Sequence, residues 1–131
     1  MRIRKYNLRQ TSIRRVCDFS ERIHLHKDGM VLKLYDKGSI LLGQVVVWEG
    51  NWISYLVVNP KYRGKGYGKK LIALAEKEIF KKYKTAKLIP QDNDESLRLF
   101  YSKLGYSGFL KSEPGYEEED KSWWEMTKRK D

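Results

Sequence analysis

Between Val58 and Lys70 the chain reads Val-Asn-Pro-Lys-Tyr-Arg-Gly-Lys-Gly-Tyr-Gly-Lys-Lys, with glycines at 64, 66 and 68. An apolar, β-rich run from Trp52 to Val58 precedes this segment, and a helical pattern from Lys69 to Lys82 follows it. Glycine at every second position leaves bare backbone N–H groups that can converge on an anion. The helix behind them adds about half a positive charge at its N-terminus, and strand, glycine loop and helix together make a recurrent phosphate cradle. Arg63, Lys65, Lys69 and Lys70 add side-chain cations. Three alternating glycines cost folding entropy without adding packing, so a purely structural turn accounts for them poorly.

The spelling excludes two phosphate sites. A P-loop requires G-x-x-x-x-G-K-[S/T]. Counting back from Gly68-Lys69 puts Arg63 at the first glycine and Lys70 at the hydroxyl position. A dinucleotide fingerprint requires G-x-G-x-x-G after a parallel strand. Here the spacing is G-x-G-x-G, and the strands before it read as antiparallel.

The elements that must position this loop follow from periodicity. Arg2 to Tyr6 alternates as a first strand, and Leu8 to Ile23 has Ile13, Val16 and Phe19 at helical spacing. Met30 to Tyr35, Ser39 to Trp48 and Trp52 to Val58 read as strands, the last two joined by a tight turn at Glu49-Gly50-Asn51. Leu71, Ala75 and Ile79 mark the inner face of the helix after the loop. Thr85 to Ile89 is a short strand. Asp92-Asn93-Asp94-Glu95 loads a helix start with acceptors. Leu97, Phe100, Tyr101 and Leu104 give that helix its apolar stripe, Gly105 ends it, and strands follow at Tyr106 to Leu110 and Ser122 to Lys128. The expected fold is α+β: a mixed, mostly antiparallel sheet with helices on both faces, in one domain spanning residues 1–131.

Composition narrows the setting. Aromatic content of 13% and hydrophobic content of 40% exclude a disordered chain. No apolar run approaches the roughly 20 residues of a membrane span, and residues 1–20 hold no signal-like apolar core. The single Cys17 precludes an internal disulfide and suits a reducing, cytoplasmic location. Cys17 reads as a small core residue. His24 and His26 have no partner at ligand spacing, so no metal site is expected. The net charge of +10 is uneven: residues 61–87 hold ten basic and two acidic side chains, while residues 88–131 hold seven basic and ten acidic. Such a centre suits a polyanionic ligand. A nucleic-acid surface stays open, without any recognised spelling to favour it.

The chain resembles the GNAT superfamily of acetyl-CoA-dependent N-acyltransferases. Arg63-Gly64-Lys65-Gly66-Tyr67-Gly68 matches that family's R/Q-x-x-G-x-G/A loop, and Leu56-Val57-Val58-Asn59-Pro60 matches its L-x-V-x-P approach. Phe100-Tyr101-Ser102-Lys103-Leu104-Gly105-Tyr106 resembles its F-Y-x-K-L-G-F block, and Ile3-Arg4-Lys5-Tyr6 its first strand. The resemblance implies acetyl-CoA as acyl donor. Backbone groups of Leu56, Val57 and Val58 would pair with the pantetheine arm. The N–H groups of Arg63, Gly64, Lys65, Gly66, Tyr67, Gly68 and Lys69 would hold the pyrophosphate. Asn93 would contact the cofactor, and Tyr101 would reprotonate the departing thiolate. The partner would be an amine acceptor, small molecule or protein. The acidic run Glu117 to Asp120 falls where relatives build part of that site, which favours a cationic acceptor. Oligomeric state stays open, a homodimer being compatible.

Two departures stand out. The family Asn lies seven residues before the Tyr, a count that lands on Asp94; Asn93 is eight before. Many relatives carry a basic carboxylate on the strand before the loop or on the strand before the second block, positions held here by Ser54 and roughly Leu88. Glu49, Asp92, a water relay or an amine arriving neutral are the alternatives. The rival to an enzyme is a weakly active or inactive module of the same shape, holding nucleic acid or another polyanion on its basic centre.

Overall fold

The computed structural model describes residues 1–7, 29–48, 50–90, 94–112 and 122–131. Among these, seven strands form one mixed sheet: β1 (Arg2–Asn7), β2 (Met30–Tyr35), β3 (Leu41–Trp48), β4 (Trp52–Val58), β5 (Thr85–Leu88), β6 (Ser107–Ser112) and β7 (Ser122–Arg129). They lie in the order β1-β2-β3-β4-β5-β7-β6. Only β4 and β5 run parallel; every other neighbouring pair is antiparallel. The mixed, mostly antiparallel sheet is thus the one expected.

Two helices are described. Helix α1 (Tyr67–Ile79) and helix α2 (Glu95–Lys103) pack on the same side of the sheet. Leu71, Ile72, Ala75 and Ile79 of α1 are buried against Leu32, Leu34, Val45, Val47, Ala86 and Leu88. Gly43 lets α1 approach this closely, since a Cβ there would stand 2.8 Å from Leu71 Cδ1 and from the Val57 carbonyl. Glu76 of α1 bridges to the end of the sheet: it accepts the Tyr106 hydroxyl at 2.8 Å and pairs with Lys128 Nζ at 2.9 Å. The helix expected over Leu8 to Ile23, with Cys17, lies outside the described residues, so both described helices belong to one face.

The two ends of α1 differ from the periodicity. The helix begins at Tyr67 rather than Lys69, because Gly66 is left-handed (φ 85°) and turns the chain directly into helical geometry. It stops at Ile79, three residues before the lysine-rich pattern ends, with Lys82 and Tyr83 donating back to the Ile79 carbonyl.

The feature that matters most is how little β4 touches β5. Their register contains two pairs, Trp52 with Lys87 and Ile53 with Leu88, and then the strands part. Asn51 in the β3–β4 turn holds the closed end: its carbonyl accepts from Lys87 N at 2.9 Å and its amide donates to the Thr85 carbonyl at 3.3 Å. Just past the junction β4 bulges. Gln44 pairs with Val57 but Val46 pairs with Ser54, so Tyr55 and Leu56 together oppose Val45. Tyr55 takes φ 49°, the one positive φ outside glycine among the described residues. That conformation costs about 1 kcal/mol for a side-chain-bearing residue. It turns the rest of β4 away from β5.

Candidate active site

The split opens into a cleft of about 470 Å3 lined by Leu56, Val57 and Val58 of β4, by Arg63, Gly64, Gly66, Tyr67, Gly68 and Lys69, and by Leu97 and Phe100 of α2. Asn59 positions the turn into it. Its side chain donates to the Leu41 carbonyl at 2.9 Å and accepts from Lys61 N at 3.1 Å, starting a single 3-10 turn over Pro60–Tyr62. Arg63 Nε reaches back to the Val58 carbonyl at 3.4 Å.

The glycines have different reasons for being there. Gly64 and Gly66 adopt φ of 78° and 85°, and a Cβ on either would meet nothing within 4 Å. Conformation, not crowding, demands glycine at both. Gly68 is ordinary helix, its Cβ position 3.6 Å from Phe100 and 3.7 Å from Val58; it marks where α2 and β4 close around the helix start. No side chain caps α1, its first turn contains no acidic residue, and its first intrahelical bond is Lys70 N to the Gly66 carbonyl. The N–H groups of Tyr67, Gly68 and Lys69 therefore precede the first helical acceptor and face the loop. Lysines at 69 and 70 oppose the helix dipole unless an anion sits there. A pyrophosphate fits both the geometry and the charge.

Most described sequence-predicted positions converge on this cleft; Lys65 and Tyr101 do not line it. Lys65 is not in its wall; its Nζ lies 5.5 Å over the Tyr62 ring. Asn93, Glu49 and Asp92 lie outside the described residues. Asp94 caps α2, accepting from Ser96 Oγ at 2.6 Å and from Ser96 N at 2.8 Å. The Ser96 hydroxyl first, then backbone N–H groups, lower its pKa. That carboxylate is committed to the helix.

Tyr101 is the other described position outside the wall. It lies on α2 four residues beyond Leu97 and next to Phe100, both of which line the cleft, yet it is itself only 8% exposed and absent from the wall. Its ring sits edge-on to Phe100 at 5.1 Å and to Tyr106 at 6.0 Å. Burial alone pushes its pKa up to about 12. Tyr106 is raised too, by burial first and then by its hydrogen bond to the Glu76 carboxylate. A pH effect follows from the sign. The unfolded chain loses the Tyr101 proton near pH 10 while the folded chain keeps it to about 12. Stability is full below pH 10 and falls as pH rises toward 12, by on the order of 3 kcal/mol from this residue. Urea unfolding across that interval measures it, and Tyr101→Phe should flatten part of the decline.

Three buried polar groups lie on the opposite sheet face; sequence reasoning singled out only Ser54, as a position where relatives carry a basic carboxylate, and missed Gln44 and Glu125. The Gln44 side-chain amide is fully buried and neither its oxygen nor its nitrogen has a hydrogen-bond partner; the buried Ser54 hydroxyl also has none. Glu125 on β7 is 6% exposed. The signal for Glu125 was its isolation, a single acid inside Trp123-Trp124-Glu125-Met126.

The acetyltransferase (GNAT) domain model matches residues 27–107, more than half of the chain. The chain belongs to the GNAT acetyltransferase family. Solved GNAT folds extend the likeness beyond that segment. The spermidine/spermine N-acetyltransferase of Vibrio cholerae, solved with manganese ions, aligns over 95% of this chain and 91% of its own with a TM-score of 0.71 and 14% identity. The IAA acetyltransferase of Bacillus cereus aligns over 98% of both chains with a TM-score of 0.69 and 20% identity. A Bacillus anthracis structure described as a streptothricin acetyltransferase in complex with acetyl coenzyme A covers 79% of this chain and 62% of its own, with a TM-score of 0.60 and 23% identity. At these identities the likeness is one of fold. No curated protein sequence matches significantly. Among the described residues no helix is long and apolar enough to cross a membrane, and no group of three or more His, Cys, Asp or Glu could hold a metal ion.

Proposed function

We propose that this GNAT protein transfers the acetyl group of acetyl-CoA to a primary amine by direct attack. The observation that carries this reading is the joint between the split and the glycine cradle. A strand parts from its neighbour after two pairs, and an uncapped helix with two left-handed glycines opens at the wide end. Bound acetyl-CoA supplies an activated thioester. The free edge of Leu56 to Val58 receives the pantetheine amides as an added strand, and the N–H groups of residues 63–69 hold the pyrophosphate. Backbone donors at the bulge stabilise the oxyanion that forms on the thioester carbonyl. Tyr101 does not line the cleft; to deliver a proton to the sulfur as the C–S bond breaks, its hydroxyl must come within reach of the cleft when acetyl-CoA binds. A phenol held near 12 is too weak an acid to protonate a free thiolate of pKa about 8.5, so its proton moves in concert with bond cleavage and is replaced from the attacking nitrogen. With serine at position 54, no carboxylate from β4 acts as base.

Calorimetry with acetyl-CoA, followed by thiol-release assays against an amine panel, tests this. Micromolar binding and amine-dependent thiol release are expected. Failure to bind acetyl-CoA, together with salt-sensitive binding of nucleic acid, would instead support the polyanion-binding module.

A further inference from the structure

The ten cations between residues 61 and 87 do not form one patch. Arg63 and Lys69 line the cleft at the N-terminal end of α1, whereas Lys77, Lys81, Lys82 and Lys84 stand at its C-terminal end and beyond. A helix of 13 residues sets the two groups about 20 Å apart. That is more than twice the roughly 8 Å over which salt screens exposed charges at physiological ionic strength. The far group therefore adds little to the attraction of a pyrophosphate in the cleft.

The fold enlarges this far group. Arg129 of β7 pairs opposite Thr85 of β5, and Lys130 N donates to the Lys84 carbonyl at 2.7 Å. Lys77, Lys81, Lys82, Lys84, Arg129 and Lys130 are all exposed. The acids of the same segments are mostly committed: Glu76 to Lys128 and Tyr106, Glu78 to Lys5 and Lys81. Only Asp131 beside them stays unpaired among the described residues. Two of the cations serve the helix end. Lys130 Nζ donates to the Phe80 carbonyl at 2.8 Å, and Lys77 lies in the last turn, where the dipole favours a cation. Lys82, Lys84 and Arg129 lie outside that turn and make no ion pair among the described residues.

Between Lys82 and Lys84 stands Tyr83, which is 42% exposed and not part of the core. Its N–H donates to the Ile79 carbonyl at 2.9 Å. The hydroxyl end of its ring lies against Gly50 in the β3–β4 turn, so closely that a Cβ on Gly50 would stand 2.5 Å from Tyr83 Cζ. The ring is thus anchored by packing while staying open to solvent. Beyond the turn the alternation of cation and ring continues: Lys87 holds its Nζ 5.6 Å over the Trp52 ring, which stacks on Trp48 at 5.8 Å. Unpaired cations hold phosphates, and an exposed, pre-set ring stacks on a base; the combination fits a single strand of nucleic acid. A duplex keeps its base faces covered and has no use for Tyr83. An anionic membrane calls for an apolar helix face turned outward, and α1 turns its apolar face to the core.

We propose that the C-terminal end of α1 and the adjoining ends of β5 and β7 form a binding face for single-stranded nucleic acid, with Lys82, Lys84 and Arg129 on phosphates and Tyr83 stacked on a base. The face lies apart from the cleft, so the strand and acetyl-CoA bind together, and the assignment stands independently of the acetyltransferase reading.

Fluorescence anisotropy with labelled oligo(U) and oligo(dT) of about 12 nucleotides, with and without saturating acetyl-CoA, tests this. Affinity should be the same in both conditions, and log K should fall against log salt with a slope of about −2, the value for three phosphates on a single strand. The tighter of the two strands tells whether RNA or DNA is the source. Lys82→Glu/Lys84→Glu should weaken binding by about 30-fold or more and leave acetyl-CoA affinity and thermal unfolding unchanged. Lys37→Glu/Lys61→Glu makes the same change in net charge at exposed positions away from this face and should cost only a few-fold. Tyr83→Ala should lose about tenfold with the salt slope unchanged, and Tyr83→Phe should bind like the wild type. Equal losses in the two double variants, unchanged affinity in Tyr83→Ala, or binding of phosphatidylserine vesicles in place of the strands overturns the assignment. Displacement of the strand by acetyl-CoA also overturns it and puts the polyanion in the cleft instead.

Discussion

Tyr101→Phe should lower turnover by about 100- to 1,000-fold and leave acetyl-CoA affinity nearly unchanged. The substitution removes one oxygen from a ring that is already packed against Phe100 and Tyr106, so the fold should tolerate it. No cleft wall is altered, because Phe100 and Leu97, not Tyr101, face the cavity. Only a step that needs the hydroxyl proton can respond. Single-turnover thiol release separates that step from binding and product release. The pH profile adds a second check. A phenol held up to about 12 stays protonated across the working range, so the wild-type rate should rise with amine deprotonation and show no loss from Tyr101 before about pH 12. Unchanged turnover in the Phe variant would make Tyr101 a packing residue of α2 and nothing more.

Gly66→Val should weaken acetyl-CoA binding by about 100-fold, the larger part of it from backbone geometry. A β-branched residue is an outlier at φ 85°. The chain would leave that conformation and take the first-turn N–H groups with it. Gly64→Val should behave the same way, since its φ is 78°. Gly68→Ala is the internal comparison. It adds a methyl at ordinary contact distance from Phe100 and Val58 with no left-handed strain, and should cost far less. Calorimetry on the three variants reads the order directly. Equal losses at all three would mean that the left-handed conformation of Gly64 and Gly66 does not govern the cradle.

How much of this was legible beforehand depends on what each residue answers to. The strands follow local alternation and appear within a residue or two of where β propensity puts them, Leu41 being the later start of β3. The cradle was legible because glycine spacing is itself the signal for backbone conformation. The bulge was not: Tyr55 carries no mark of its left-handed φ, which goes with the register shift opposite Val45 on the neighbouring strand of the hairpin. Tyr101 was legible as part of an apolar stripe, but which side of that stripe meets the cleft depends on how α2 sits over β6 and β7. Asp94 was ambiguous because an acid at a helix start serves capping and ligand contact equally well until its hydrogen bonds are known. Beyond its isolation among apolar neighbours, Glu125 carried no sequence mark of its burial, which on β7 comes from long-range packing.

The short junction between β4 and β5 divides the sheet mechanically. On one side stand the antiparallel strands β1 to β4, on the other β5, β7 and β6, and between them run two residue pairs, the Asn51 clamp and the body of α1. A cofactor that pairs with the open edge of β4 acts as a splint across that seam. Its binding free energy then becomes cohesion between the two halves, contributing about 2.7 kcal/mol at a hundredfold excess over Kd. The ligand-free protein should open first along this line, so the segment that recognises the substrate is also the one whose amide protons exchange soonest when substrate is scarce.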